Sequence, residues 1–126
     1  MDELETQIRM VVQIARCIHL KRVLTNTNPD PHVNFWRLMH GTLLDLSVLE
    51  WTKIFGSNAE PTHWKGMISD HAKFKNELLK CVGCTESEWS NYWDEMKGYR
   101  DEYVAHHSAS PTKNQYPTLE WAMKSC

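Results

Sequence analysis

From Asp2 to His107 the apolar residues of this chain recur at steps of three and four, and no stretch alternates in the way a half-buried strand does. That spacing restricts the chain to an all-α fold, an up-and-down bundle of four main helices with short additional helical turns. The first helix is expected from about Asp2 to about Thr25. Its buried stripe is Leu4, Ile8, Val11, Ala15 and Ile18, its start the capping pattern Asp2-x-x-Glu5, and its end the breaker Asn26-Thr27-Asn28-Pro29. Asp30-Pro31 is expected to open a second helix as cap and first helical residue, closed at Gly56. Phe35, Trp36, Leu38, Leu43, Leu44, Leu46, Val48, Leu49 and Trp51 cover nearly its whole circumference, which predicts a central helix surrounded by partners. A loop at Ser57 to Pro61 and a short turn at Thr62 to Met67 follow. Ser69-Asp70 caps a third helix, and Thr85-x-x-Glu88 is a capping box starting a fourth that runs to about His107. Ser108 to Pro117 reads as a loop, and Thr118 to Lys124 as a last helical turn.

At 126 residues the chain is expected to form one domain, residues 1–126, with no repeat or linker dividing it. No apolar run approaches the roughly 18 residues of a membrane span, so no membrane is expected as a partner. The start, Met1-Asp2-Glu3-Leu4-Glu5, lacks the basic-then-apolar order of a signal peptide, which predicts a cytoplasmic protein. In that compartment the four cysteines are expected as thiols. Cys81-Val82-Gly83-Cys84 has no second pair to complete a zinc site; it reads as a helix end with Gly83 in the left-handed position, metal binding being the lesser alternative. No metal or cofactor site is expected. The net charge of −2 argues against a broad basic surface for nucleic acid. Six Trp residues predict a core or seam built on large rings rather than a base-stacking platform, because no basic residues interleave with them.

The chemistry resides in Tyr99-Arg100-Asp101-Glu102-Tyr103-Val104-Ala105-His106-His107. Arg carries a permanent planar cation that grips a phosphate with two prongs, and His moves a proton near neutral pH. At about 100° per residue His107 shares the face of Arg100, while His106 lies about 240° away. Arg100 also falls on the stripe of Trp89, Trp93, Met96 and Tyr103, where a charge requires an anion, a carboxylate or a wet cleft.

Arg100-Asp101-x-x-x-Ala105-His106 resembles the Arg-x4–6-His signature of HEPN (higher eukaryotes and prokaryotes nucleotide-binding) domains, in the form found in the abortive-infection branch of bacterial defence systems. The central helix from Phe35-Trp36 to Phe55-Gly56, the third helix and the long fourth helix supply matching context. The resemblance implies a homodimer whose motifs meet in one cleft, and metal-independent endoribonuclease activity of a toxin or phage-defence effector, with RNA as substrate and a cognate antitoxin as a further partner. Carried over, Arg100 would hold the scissile phosphate, His106 would be the proton carrier, and Asp101 would orient the pair. His107 stays open as the carrier, since the family register selects His106 and the ideal helical face His107. Glu102 departs from the branch, where a basic or neutral residue is usual.

The alternative is a non-catalytic helical module in which the same segment builds a dimer seam or binds a nucleotide. His40 is expected as a hydrogen-bonded core or interface residue, and His19 and His32 as solvent-facing. A zinc site gathering Cys81, Cys84, His71 and His63 is not demanded by their spacing.

Overall fold

The computed structural model describes residues 2–27, 29–30, 32–56, 62–104 and 117–126, with backbone only at 103–104. Among them every regular element is helical. The order is α1 (Glu3–Thr27), α2 (Asn34–Phe55), a 3-10 turn (Trp64–Gly66), α3 (His71–Val82), α4 (Glu86–Tyr99), a π turn (Arg100–Val104) and α5 (Glu120–Ser125). Side-chain pairs set the directions. Gln7 reaches Thr62 and Lys21 reaches His40, so α1 runs antiparallel to α2. Trp93 reaches Phe55 and Tyr99 reaches Asp45, so α4 runs antiparallel to α2 as well.

The ends of the elements follow local chemistry. Thr85 and Glu88 form the expected capping box at the start of α4. Asp70 caps α3 by accepting from the Lys73 N–H at 3.0 Å. Gly83 ends α3 at φ 77°, where its N–H bonds the Leu79 carbonyl, so Cys-x-x-Cys is a helix end here. Gly56 ends α2 for a steric reason, since a Cβ there would collide with the Thr52 carbonyl oxygen.

The start of α2 differs from the sequence reading. Asp30 does not cap the helix; its carboxylate accepts the His32 N–H at 2.9 Å in a local turn, and α2 begins at Asn34 behind an uncapped Val33. Pro31 lies outside the described residues. The buried stripe of α1 also differs. Met10, Ile14, Cys17 and Ile18 are buried, Val11 and Ala15 half-buried, and Leu4 and Ile8 exposed. The inward side of α1 carries two polar residues, Gln7 donating to the Thr62 carbonyl at 2.6 Å and Lys21 bonding His40 at 3.4 Å. Apolar spacing assigns such residues to solvent and so rotates the expected stripe away from the true one.

The core is aromatic. Trp51, fully buried, has ring neighbours Phe55, Trp89 and Tyr92 with centroids 5.2, 5.7 and 5.6 Å away. Its indole N–H donates to Ser125 Oγ at 3.0 Å, which ties α5 to the C-terminal part of α2. Met96, Ile14, Ile18 and Val48 complete the interior around it. The encirclement expected of α2 holds only for its C-terminal part: Phe35 and Leu38 stand 56% and 67% exposed. No described helix is long and apolar enough to cross a membrane.

Trp51 joins α2, α4 and α5, so Trp51→Ala leaves a large void and removes the hydrogen bond to Ser125, whose hydroxyl keeps its bond to the Ala122 carbonyl. A loss of about 3–5 kcal/mol is expected, read as a lowered urea midpoint with the helical signal retained at zero denaturant. Trp51→Phe should cost distinctly less, and equal costs for the two would contradict this account of the core.

Candidate functional site

Arg100 lies where α4 changes character. Its backbone N–H bonds the carbonyls of both Lys97 and Met96, and from Arg100 to Val104 the backbone widens into a π turn. Such turns are rare and concentrate at functional sites. The fourth helix is therefore α-helical only to Tyr99, not to His107 as the sequence reading extends it. The 100° spacing that sets His107 on the face of Arg100 does not hold through this turn.

The Arg100 guanidinium donates through Nε at 2.9 Å and Nη2 at 2.7 Å to one oxygen of Asp101. The Arg100 side chain is only 19% exposed, whereas Asp101 is 50% exposed. The carboxylate therefore meets the guanidinium from the wet side, and a pair so placed contributes little to stability. Exchange of that carboxylate for a phosphate oxygen costs correspondingly little. The structure brings Arg100 and Asp101 together as an ion pair. His106 and His107 lie outside the described residues.

A polar cluster anchors the turn from beneath. Tyr99 donates its hydroxyl to Asp45 Oδ1 at 2.7 Å, and Lys21 contacts His40 Nδ1 at 3.4 Å. Burial pulls the Lys21 ammonium below its ordinary pKa, and the Asp45 carboxylate opposes that shift. His40 is thus a hydrogen-bonded, half-buried residue between α1 and α2, while His19 and His32 face solvent. Since α4 runs antiparallel to α2, the turn from Arg100 to Val104 heads toward the N-terminal half of α2, where Phe35 and Leu38 are exposed.

A cleft elsewhere on the molecule was not legible in the sequence. A cleft of about 410 Å³ opens between the end of α2, the 3-10 turn, α3 and the outer side of α4. Lys65, Lys75 and Lys97 line it together with Trp64, Trp89 and Trp93. Against the sequence expectation, basic residues do meet the Trp rings: Lys65 and Lys75, which lie between Trp64 and Trp89 in the chain, join Lys97 there. Each lysine comes from a different element, so no run announces them. Lys97 Nζ lies 4.8 Å over the Trp93 ring, and the Trp93 indole donates to the Phe55 carbonyl at 2.7 Å.

His63 forms the back of this cleft. It is buried, stacks on Trp64, and accepts the Lys65 N–H through Nδ1 at 3.1 Å, capping the 3-10 turn. Burial lowers its pKa below 6.5, Lys65 and His71 push the same way, and the hydrogen bond to the Phe55 backbone opposes them. His71 bonds the Lys65 carbonyl at 3.0 Å. Among the described residues no three of His, Cys, Asp or Glu gather in a way that would hold a metal ion. Cys17, Cys81, Cys84 and Cys126 are free thiols.

No protein-family model, curated protein or solved structure matches this chain.

The His63 geometry makes a pH prediction. The folded state holds the ring neutral, so the unfolded chain binds the proton more readily. Stability is fully present above the ordinary imidazole value of about 6.5 and falls as the pH drops from there toward the lower native value. His63→Asn keeps an acceptor near Lys65 but does not titrate. Between about pH 7.5 and about pH 5 the wild type should lose more unfolding free energy than the variant. Parallel pH profiles from chemical denaturation would refute this account of His63.

Proposed function

We propose that this chain is a HEPN-like, metal-independent endoribonuclease, a toxin or phage-defence effector working as a homodimer and held in check by a cognate antitoxin. The observation that carries the reading is Arg100: a cation seated at a π turn, met from the solvent side by one exchangeable carboxylate, with exposed apolar side chains of α2 in the direction the chain then takes. Phe35 and Leu38 are the surface a second copy would cover, which brings two motifs to one cleft.

In that cleft Arg100 binds the non-bridging oxygens of the scissile phosphate and stabilises the charge that builds on them. His106 takes the proton from the ribose 2′-hydroxyl. The 2′-oxygen attacks phosphorus, the bond to the 5′-oxygen breaks, and an imidazolium returns a proton to the leaving oxygen. The products are a 2′,3′-cyclic phosphate and a free 5′-hydroxyl. Asp101 holds the guanidinium in place until substrate arrives, and His107 is the second candidate for the proton carrier.

One observation favours a different reading. Asp101 pairs with the guanidinium and a second acidic residue, Glu102, follows it in the sequence, a local charge suited to a non-catalytic helical dimerisation or nucleotide-binding module.

Arg100→Ala should lower cleavage of single-stranded RNA by about 10²–10³-fold, and His106→Ala by about 10²–10⁴-fold. Helical circular dichroism and dimer mass should stay unchanged in both. Gel analysis of a labelled oligoribonucleotide, with light scattering for mass, checks this. Cleavage that survives both substitutions removes the enzyme, and a monomeric wild type removes the shared cleft. If neither wild type nor variants cut while Leu38→Glu dissociates a dimer, the non-catalytic module is the function.

A further inference from the structure

The cleft behind Trp93 is independent of the Arg100 site and has a charge of its own. Lys65, Lys75 and Lys97 face one carboxylate, Glu86, leaving a surplus of two positive charges in a chain whose net charge is −2. His63 adds no charge near neutral pH, because its surroundings keep the ring neutral. The Lys97 ammonium is held over the Trp93 ring instead of extending into solvent, so the cleft keeps its cation on an aromatic face. Trp93 is half-buried and its N–H is committed to Phe55; what it offers a ligand is the ring itself. Ser90, on the same side of α4, adds a hydroxyl that can donate or accept. The volume of about 410 Å³ lies in the range of roughly 300–1,000 Å³ usual for small-molecule sites.

We infer that this cleft binds a nucleoside monophosphate, with the phosphate among the three lysines and the base against Trp93, in the place on the ring that the Lys97 ammonium leaves as it turns to the phosphate. Charge selects the phosphate. A phosphomonoester carries about −1.5 to −2 at pH 7, which matches the surplus of two. A phosphodiester of an RNA strand carries a single negative charge, and a carboxylate likewise. Lysines suit this role, since a compact ammonium binds phosphate as a point charge without the two-pronged geometry Arg demands. The flat ring selects the base: stacking on an aromatic side chain tolerates every base, because each has a flat aromatic face. The ligand is therefore read by its terminal phosphate and its ring together, with little discrimination among bases.

Isothermal titration of the full chain tests this with four kinds of probe: the nucleoside monophosphates AMP, GMP, CMP and UMP, adenosine, inorganic phosphate, and a 5′-hydroxyl oligoribonucleotide that offers only diesters. The monophosphates should bind saturably, and adenosine and inorganic phosphate at least tenfold more weakly. Lys75→Ala/Lys97→Ala, with the wild-type helical spectrum and thermal midpoint, should weaken AMP at least tenfold, while Arg100→Ala should bind AMP as the wild type does. Absence of binding by all four monophosphates overturns the proposal, as does undiminished AMP binding in the double variant. Adenosine or inorganic phosphate binding as tightly as AMP removes the two-part recognition. An oligoribonucleotide that binds as tightly as AMP and loses affinity in the same variant makes the cleft an RNA groove instead. Ribonuclease activity has no bearing on any of these readings, so this proposal and the function proposed for Arg100 stand or fall separately.

Discussion

Trp51 is the contact on which the remaining geometry depends. Its ring fills the space between α2 and α4, and its single polar atom is satisfied by Ser125 of α5. A buried indole has one N–H and tolerates no other polar demand, so this arrangement permits close packing on every side. With Trp51, Phe55 and Trp89 in register, α4 is fixed along α2 in the antiparallel sense. Ten residues on from Trp89, Tyr99 then falls opposite Asp45. Arg100 follows at the end of that line. The place of the cation is thus set by aromatic packing several turns away.

What the sequence reveals and what it hides divide along a physical boundary. Capping at Thr85 and Glu88, the left-handed turn at Gly83 and the stop at Gly56 depend on near neighbours in the chain, and all are legible from residue type and spacing. The inward side of α1 is not legible. Gln7 and Lys21 occupy it because their partners, Thr62 and His40, come from other parts of the chain. A polar residue with a distant partner looks like a solvent residue until the fold is known. The π turn is hidden for a related reason: Arg100 to Val104 has ordinary helical composition, and a widened backbone leaves no mark on apolar spacing. Of the candidate site, the motif singled out Arg100 and Asp101 as residues, and neither the ion pair they form nor the packing of the turn against α2 was legible.

Net charge misled in an instructive way. A chain at −2 with scattered lysines offers no sign of a cationic pocket, yet three of those lysines meet at one cleft because the 3-10 turn, α3 and α4 converge there. Bulk charge governs long-range attraction, which is screened over about 8–10 Å at physiological salt. Binding in a partly enclosed cleft depends instead on the few charges lining it. A weakly acidic protein is thus poorly suited to sliding along a polyanion and well suited to holding a small one.

The two cationic places on α4 are built for different tasks, and the contrast bears on function. Lys97 lies in the last turn of α4, and Arg100 opens the π turn that follows it. Lys97 shares its cleft with two other ammonium groups and an aromatic face, so positive charge there exceeds what the protein itself neutralises. Arg100 has the carboxylate of Asp101 as its immediate partner, and Glu102 follows. A balanced guanidinium binds an anion only by exchange, releasing one oxygen contact as it gains another, so its ground-state affinity is modest. Modest ground-state affinity is what catalysis requires of a group that must grip more strongly as charge develops on phosphorus. The lysine cleft, unbalanced at rest, has the opposite character: it is made to hold a dianion rather than to transform one.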